Sequence, residues 1–174
     1  KGILFIPSLY TVTRGVAEAM KHALGHLDDL YNTQLFKVIL LKNNMPDGVL
    51  SLILEGLKAR PELCSLQSTL NEIGPSSARQ LCTLIERGCE DPEAPRDEAL
   101  PRISELKLIN NRCDLVSMDK IMGSIMRSTT LRRLSLQKMN LSDRQLKRLF
   151  VFIKETSIQE LDISWNKVPP RHLP

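Results

Sequence analysis

The sequence predicts an α/β protein built from consecutive strand–helix units, and two observations lead to this fold class. The pattern apolar-x-x-apolar-x-apolar-x-x-Asn-x-apolar recurs along the chain with a period of about 28 residues. A second pattern follows each of the first four copies, with apolar residues spaced three, one and three apart, which indicates one buried face of a helix. Because both patterns recur in the same register, each unit is predicted to contain a strand followed by a helix.

The first half of each unit predicts a short strand with one buried side, because apolar residues spaced by two fall on the same side of a strand. The units start at residues 35, 63, 103, 131 and 158, and the single long interval contains an insertion of 12 residues. The second unit has Ser68 at an apolar position, and the fourth has Met139 at the Asn position. The five copies are Leu35, Val38, Leu40, Asn43, Met45; Leu63, Leu66, Ser68, Asn71, Ile73; Ile103, Leu106, Leu108, Asn111, Cys113; Leu131, Leu134, Leu136, Met139, Leu141; and Ile158, Leu161, Ile163, Asn166, Val168.

The second half of each of the first four units predicts a helix that buries its sixteenth, nineteenth, twentieth and twenty-third residues. These residues are Leu50, Ile53, Leu54, Leu57; Ala78, Leu81, Cys82, Ile85; Met118, Ile121, Met122, Ile125; and Leu146, Leu149, Phe150, Ile153. A single unit has too little core to fold alone, so neighbouring units are expected to stack.

Three segments depart from the repeat. Residues 1–34 are predicted to form one degenerate N-terminal unit, with "ILFIPSLYTV" as its strand half and "RGVAEAMKHAL" as its helix. The acidic insertion at about 89–102 contains Pro92, Pro95 and Pro101, which disfavour regular structure. It is interpreted as an exposed loop, with a partner-binding protrusion as the alternative. Residues 169–174 are a proline-rich tail or the start of a truncated continuation.

The composition places the chain among folded globular proteins, with 42% hydrophobic and 25% charged residues. The four cysteines, Cys64, Cys82, Cys89 and Cys113, form no C-x-x-C pair, which disfavours a zinc site and a disulfide framework and favours a reducing, intracellular compartment. Apolar runs all fall short of the roughly 18 residues that a membrane span needs, so no membrane insertion is expected.

The stretch "TLRRLSLQKMNLSDRQLKRLF" (residues 130–150) contains six Lys or Arg and one acid, which raises the possibility of a nucleic-acid interface. Its apolar spacing divides these charges between a strand side and a helix side of the fourth unit. A nucleic-acid groove would instead gather them on one surface with aromatic residues. The net charge of +4 is also modest for a nucleic-acid binder. A solvated surface is therefore favoured, and nucleic acid is disfavoured as a partner.

No catalytic or cofactor-binding motif is present in the sequence. His22 and His26 have the i, i+4 spacing of a metal-binding pair, but the sequence supplies neither the glutamate of an H-E-x-x-H motif nor a third ligand. It also has no glycine-rich phosphate loop and no recognisable nucleophile–base arrangement. We therefore expect no enzyme activity, no metal, no cofactor and no small-molecule substrate.

Residues 35–168 resemble the leucine-rich repeat family, and the repeat length is similar to that of its ribonuclease-inhibitor-like subclass. The resemblance implies a solenoid curved into an arc, with parallel strands on the concave face and helices on the convex face. It also implies that the recurrent asparagine of each unit, at Asn43, Asn71, Asn111 and Asn166, bonds free backbone groups where the strand leaves the sheet.

Side chains at the third, fifth, seventh and eighth positions of each unit are expected on the concave face. Ile39, Leu41, Leu70 and Ile109 form an apolar strip among these positions. Such a strip, with Trp165 nearby and polar residues around it, is typical of a binding surface. The alternative is that Trp165 covers the exit of the sheet and residues 1–10 shield the strip. The predicted protein-binding residues are Lys37, Ile39, Leu41, Leu70, Lys107, Ile109, Arg133, Gln137 and Trp165.

These observations predict a non-catalytic protein-binding module, most consistent with a structural or scaffold subunit of a larger assembly, for example ciliary or cytoskeletal. Its expected partners are other proteins of a multi-subunit complex, in the cytoplasm or in the cytoskeleton or cilium. The resemblance leaves other functions open, because a fold does not determine a function. These are an inhibitor or GTPase-activating regulator of an enzyme or small GTPase, and a sensor domain of an innate-immune receptor.

Overall fold

The structure is a computed structural model that describes residues 2–7, 12–31, 34–87 and 103–167. The predicted insertion, the predicted proline-rich tail, Cys89 and Val168 lie outside the described residues. Strands and helices alternate along the described chain. In order they are β1 (Gly2–Ile6), α1 (Arg14–Tyr31), β2 (Leu35–Leu41), α2 (Asp47–Leu57), β3 (Ser65–Thr69), β4 (Glu72–Ile73), α3 (Pro75–Glu86), β5 (Glu105–Ile109), β6 (Arg112–Cys113), α4 (Leu115–Arg127), β7 (Arg133–Ser135), α5 (Asp143–Phe152), a 3-10 turn (Ile153–Glu155) and β8 (Glu160–Asp162).

Six strands form one parallel sheet in the order β1-β2-β3-β5-β7-β8, and β4 and β6 form a second, two-stranded sheet. The predicted α/β class with parallel strands is confirmed. The register of the main sheet aligns residues that occupy the same position in successive units. The third-position residues, for example, lie side by side as Lys37, Ser65, Glu105, Arg133 and Glu160.

One hydrophobic core joins the sheet to the helices. The fourth- and sixth-position residues of the strands point into it, and Val38, Leu40, Leu106 and Leu108 are completely buried. The predicted helix face is buried in the same core, except that Cys82, Phe150 and Ile153 are half-buried. The core residues of the fifth unit are only half-buried, because the described chain contains no helix after β8. These residues are Ile158, Leu161 and Ile163.

The recurrent asparagines connect each strand exit to the preceding unit. The amide nitrogens of Asn71, Asn111 and Asn166 donate to the carbonyl of the sixth residue of the preceding unit, at 3.5, 2.9 and 2.7 Å. Their amide oxygens accept backbone N–H groups of the preceding turn, at 3.2, 2.9 and 3.2 Å. The Asn43 amide nitrogen lies 3.4 Å from the Ile6 carbonyl, and with the side-chain amide turned over it donates to the carbonyls of Pro7 and Leu41 at 2.9 and 2.8 Å. Buried backbone groups at successive turns are thereby satisfied.

Ser68, which the sequence pattern marks as an imperfect core position, belongs to this asparagine network. Its side chain is 2% exposed. Its hydroxyl donates to the amide oxygen of Asn111 at 3.0 Å and accepts from the amide nitrogen of Asn71 at 3.1 Å. The polar substitution is therefore stabilised by two hydrogen bonds that an apolar residue cannot make. Met139, at the asparagine position of the fourth unit, is also buried, and its sulfur lies 3.9 Å from the amide nitrogen of Asn111.

The eighth position of each unit, one to three residues after the end of the strand, has a left-handed backbone conformation, and none of its occupants is glycine. Left-handed φ values cost an L-residue roughly 1 kcal/mol, so the surrounding hydrogen bonds must hold each turn in place. The five residues and their φ angles are Lys42 (52°), Leu70 (55°), Asn110 (52°), Lys138 (51°) and Trp165 (62°).

Asp47 of α2 caps the N-terminus of the neighbouring helix α3. Its carboxylate accepts the backbone N–H groups of Gly74, Ser76 and Ser77 at 3.0, 3.0 and 2.8 Å, and the Ser77 hydroxyl at 2.5 Å. Gly74 leaves room for it, because a Cβ there would lie 2.8 Å from the carboxyl carbon of Asp47. Burial acts to raise the pKa of Asp47, but the hydrogen bonds from Ser77, Ser76 and Gly74 outweigh it and hold the pKa below its ordinary value.

We expect Asn111→Ala to lower the free energy of unfolding by about 2–3 kcal/mol, because it leaves the Ser68 carbonyl and the Asn71 N–H buried without this partner. Urea denaturation followed by circular dichroism measures the effect. The control, Gln159→Ala, removes an exposed amide side chain and should change the free energy by no more than about 0.5 kcal/mol. Equal effects of the two substitutions would contradict the role of the asparagine network.

We expect Asp47→Asn to destabilise the protein by about 1 kcal/mol at neutral pH, because the amide carries no charge at the N-terminus of α3 and offers one acceptor oxygen where the carboxylate uses two. Since the pKa of Asp47 is lowered on folding, its stabilising effect is present above the ordinary value of 3.8 and is lost as pH falls through the folded-state pKa. The free energies of wild type and Asp47→Asn should therefore converge in acid.

Urea denaturation over a series of pH values measures this convergence. The control Glu72→Gln changes an exposed carboxylate on β4 and should leave the stability near that of wild type at neutral pH. A stability gap between wild type and Asp47→Asn that stays constant into strong acid would rule out the carboxylate cap.

Candidate protein-binding surface

The face of the main sheet that points away from the core carries the third-, fifth- and seventh-position side chains. Strand geometry places these residues opposite the buried fourth and sixth positions. We call this surface the outer sheet face. It consists of Ile3, Phe5, Lys37, Ile39, Leu41, Ser65, Gln67, Thr69, Glu105, Lys107, Ile109, Arg133, Ser135, Gln137, Glu160 and Asp162.

The N-terminal end of the outer sheet face is apolar. Ile3 and Phe5 of β1 are 57% and 52% exposed. The pairing of β1 with β2 sets Phe5 beside Ile39, and Leu41 lies farther along β2. Gly2–Ile6 is an edge strand of the sheet and does not lie over β2, so the suggestion that this segment shields the apolar strip is wrong for the described residues 2–7. It enlarges the apolar area instead.

Glu105 organises the charges at the centre of the outer sheet face. Its carboxylate accepts the Ser65 hydroxyl at 2.5 Å, and the Lys107 ammonium lies 3.0 Å away. The Arg133 Nε lies 4.0 Å from the same carboxylate. Burial acts to raise the pKa of Glu105, but the hydrogen bonds from Ser65 and Lys107 and the charges of Lys107 and Arg133 leave the pKa below its ordinary value. Glu105 is therefore a carboxylate at neutral pH that fixes two cations of the surface.

A depression of about 440 Å³ lies across β5, β7 and β8 on this face. Its lining includes Arg133, Ser135, Gln137 and Asp162. Gln137 donates to the carboxylate of Asp162, and the backbone N–H of Ser164 donates to the same group at 2.9 Å. The hydrogen bonds from Ser164, followed by the one from Gln137, hold the pKa of Asp162 below its ordinary value despite partial burial. The depression is thus lined mainly by charged and amide side chains, with Ile109, Leu134 and Leu161 as its apolar part.

The hydroxyl of Ser135 is the exception within this depression. The residue is 5% exposed, and its oxygen makes no hydrogen bond to the described residues. It lies on the same strand as Arg133, whose side chain is 54% exposed. The Ser135 oxygen is shielded from solvent, so Arg133 is the polar group of this pair that a bound partner can reach.

The predicted binding residues divide into two groups. The larger group lies on the outer sheet face: Lys37, Ile39, Leu41, Lys107, Ile109, Arg133 and Gln137. Leu70 and Trp165 instead lie in the left-handed turns after the strands. The eighth position, which was predicted to face the concave side, thus belongs to a turn and not to the strand itself. Trp165 is 84% exposed, so it does not cover the exit of the sheet.

Ile3 and Phe5 are the apolar residues that the sequence analysis missed. They fall in the degenerate unit, whose strand register was not assigned from the sequence. The signal that could have found them is the alternation of "ILFI", which places Ile3 and Phe5 on the side opposite Leu4 and Ile6. The pairing with β2 shows that this side is the outer sheet face.

No constellation for metal or covalent chemistry is found in the described part of the chain. The exposed rings of His22 and His26 lie 4.6 Å apart, but the described residues contain no group of three or more His, Cys, Asp or Glu that could hold a metal. Cys64, Cys82 and Cys113 are free thiols. Burial, together with the charges of Asp114 and Asp47, raises the pKa of Cys113 to about 12, so this thiol is protonated at neutral pH.

None of the helices in the described ranges has the length and apolar character to cross a membrane. Models of known protein families give no match to this chain, and neither do curated protein sequences. The surface itself therefore supplies the argument about function.

We expect the fluorescence of Trp165, the only tryptophan in the sequence, to be that of a solvated indole, because the side chain is 84% exposed. Acrylamide should quench the folded protein nearly as efficiently as the urea-unfolded protein. Trp165→Ala should change the free energy of unfolding by no more than about 0.5 kcal/mol. Strong protection from acrylamide in the folded monomer would contradict this placement of Trp165.

Proposed function

We propose that this chain is a leucine-rich repeat array, curved into a solenoid, that binds another protein through its outer sheet face. The observation that carries the proposal is the apolar cluster of Ile3, Phe5, Ile39 and Leu41 next to a row of charged and amide side chains. An exposed aromatic and aliphatic cluster bordered by polar groups is the arrangement found at interface hot spots.

The asparagine network makes this surface suitable for binding. It holds the strand exits through hydrogen bonds between units, so the side chains of the outer sheet face start from defined positions. Glu105 restricts Lys107 and Arg133 in the same way. A pre-ordered surface loses less conformational entropy when it binds, which favours affinity for a given contact area.

The two ends of the outer sheet face would have different roles in a complex. Burial of Ile3 and Phe5 would supply most of the binding free energy, at about 25 cal/mol per Å² of apolar surface removed from water. The charged end, around Arg133 and Glu160, would orient the partner, because charge complementarity contributes more to specificity than to affinity.

We further propose that the complex is a stable assembly in which the chain is a structural subunit with no catalytic role, for example ciliary or cytoskeletal. The free, partly buried thiols of Cys64, Cys82 and Cys113 suit a reducing intracellular compartment. Other proteins of the same assembly are the proposed partners.

The test compares proteins captured from an extract of the source cells by the immobilised wild type and by two double variants. Phe5→Asp/Ile39→Asp places charges in the apolar cluster. Leu115→Asp/Val116→Asp is the control, since it makes the same change in charge at residues that are 64% and 65% exposed on α4. Quantitative mass spectrometry measures the captured proteins, and circular dichroism verifies that each variant is folded.

We expect a set of proteins in fixed ratio to be captured by wild type and by the control, and to fall at least about tenfold with Phe5→Asp/Ile39→Asp. Loss of about 2 kcal/mol or more is typical when an apolar hot spot is disrupted. Retention of every captured protein by the Phe5→Asp/Ile39→Asp variant would refute binding through the outer sheet face.

A further inference from the structure

The helical side of the molecule has an uneven distribution of charge. Among the described side chains, α1 and α2 carry two Lys or Arg and three Asp or Glu, whereas α3, α4 and α5 carry six Lys or Arg and three Asp or Glu. The net charges of these two groups are therefore −1 and +3. Opposite charges on two parts of one surface produce a field that directs a charged partner to one of them.

A groove of about 570 Å³ lies within the positive part, where α3, α4 and α5 meet. We call it the basic groove. The residues of its wall that matter here are Arg79 and Thr83 of α3, Lys120, Gly123 and Arg127 of α4, and Arg148 of α5. Gly123 has no side chain to fill the space between α3 and α4, which leaves the cations on opposite walls accessible from solvent.

Three of these cations are available to a ligand. The exposed side chains of Arg79 and Lys120 make no ion pair or hydrogen bond to the described residues. The guanidinium of Arg148 contacts only a weak acceptor, the sulfur of Met126 at 3.9 Å. Arg127 is different, since it pairs with Glu86. The groove therefore offers two guanidinium groups and one ammonium group without a carboxylate partner of their own.

We propose that the basic groove binds an acidic segment of a partner protein. Arg79 and Arg148 can each hold a carboxylate through two parallel hydrogen bonds, and Lys120 adds a third point of attraction. The exposed Val151, one turn after Lys147 and Arg148 on α5, provides an apolar contact beside the cations. An acidic segment that also carries an aliphatic residue matches both features.

A nucleic acid fits the same groove less well. Glu86 and Asp119 lie among the cations on its walls and would repel a continuous row of phosphates. The residues that line the groove include no aromatic side chain on which a base could stack. Separate carboxylates on a peptide can occupy the positions near Arg79, Lys120 and Arg148 and avoid the two acids.

The inference is tested by fluorescence anisotropy with a labelled helical peptide that carries glutamates and a leucine on one face. The groove variant is Arg79→Glu/Lys120→Glu. The matched control is Arg14→Glu/Lys58→Glu, which makes the same change in net charge on α1 and just after α2. Thermal denaturation verifies that both are folded, and the charge-conserving Arg79→Lys/Lys120→Arg tests whether binding survives when the cations are kept.

We expect the dissociation constant for the peptide to rise at least about tenfold in the groove variant and less than about twofold in the control. The charge-conserving variant should bind nearly as wild type does, and added salt should weaken binding. The Phe5→Asp/Ile39→Asp variant should bind the peptide normally, because the groove is separate from the outer sheet face. Failure at one surface is thus distinguishable from failure at the other.

Four outcomes would overturn the inference. The first is an equal loss of affinity in the groove variant and its control, which would indicate attraction by net charge alone. The second is that a single-stranded RNA binds the groove more tightly than the peptide does, which would assign the groove to nucleic acid. The third is that phosphatidylserine vesicles bind it more tightly than the peptide does, which would assign it to a membrane surface. The fourth is concentration-dependent sedimentation that the groove variant abolishes, which would make a second copy of the chain the occupant.

Discussion

In each repeat unit the chain turns sharply at the eighth position, and the buried backbone groups of these turns must find hydrogen-bond partners. After β2, β3 and β7 the structure meets this constraint with an asparagine of the following unit. Asn71 bonds the backbone around Leu40 and Met45, and Asn111 bonds the backbone around Ser68 and Asn71. Because each turn depends on its neighbour, the strands keep one register across the sheet, and the left-handed residues after the strands are held in place.

The helices follow the same rule of mutual dependence. Asp47 belongs to α2 but caps α3, and Gln145 of α5 donates to Asp119 of α4 at 2.9 Å. A unit therefore lacks some of its polar partners as well as part of its core when it is taken alone. Stability in such a structure comes largely from the interfaces between units. Leu161 and Ile163 show what happens without such an interface: no described helix follows them, and they are only half-buried.

The outer sheet face and the helical side of the molecule differ in how their charged side chains are arranged. On the outer sheet face, neighbouring strands are only about 4.8 Å apart, so charges on adjacent strands approach one another, as Glu105 of β5 and Arg133 of β7 do at 4.0 Å. On the helical side, ion pairs also join neighbouring helices, as Lys21 does with Glu55 and Arg127 with Glu86. Arg79, Lys120 and Arg148 make no such pair with the described residues and lie together around the basic groove.

The sequence by itself determined the α/β class, one strand and one helix in each of the first four repeat units and most of the core, because apolar spacing reports which side of a local element is buried. It also identified the asparagines and much of the outer sheet face. The short strands β4 and β6 were not predicted from the sequence. Tertiary structure alone decided features that join distant residues: the bonds of Ser68 to Asn111, the cap that Asp47 provides for α3, and the placement of Phe5 beside Ile39. Spacing along the chain carries no information on such contacts, since they depend on how one unit packs against the next.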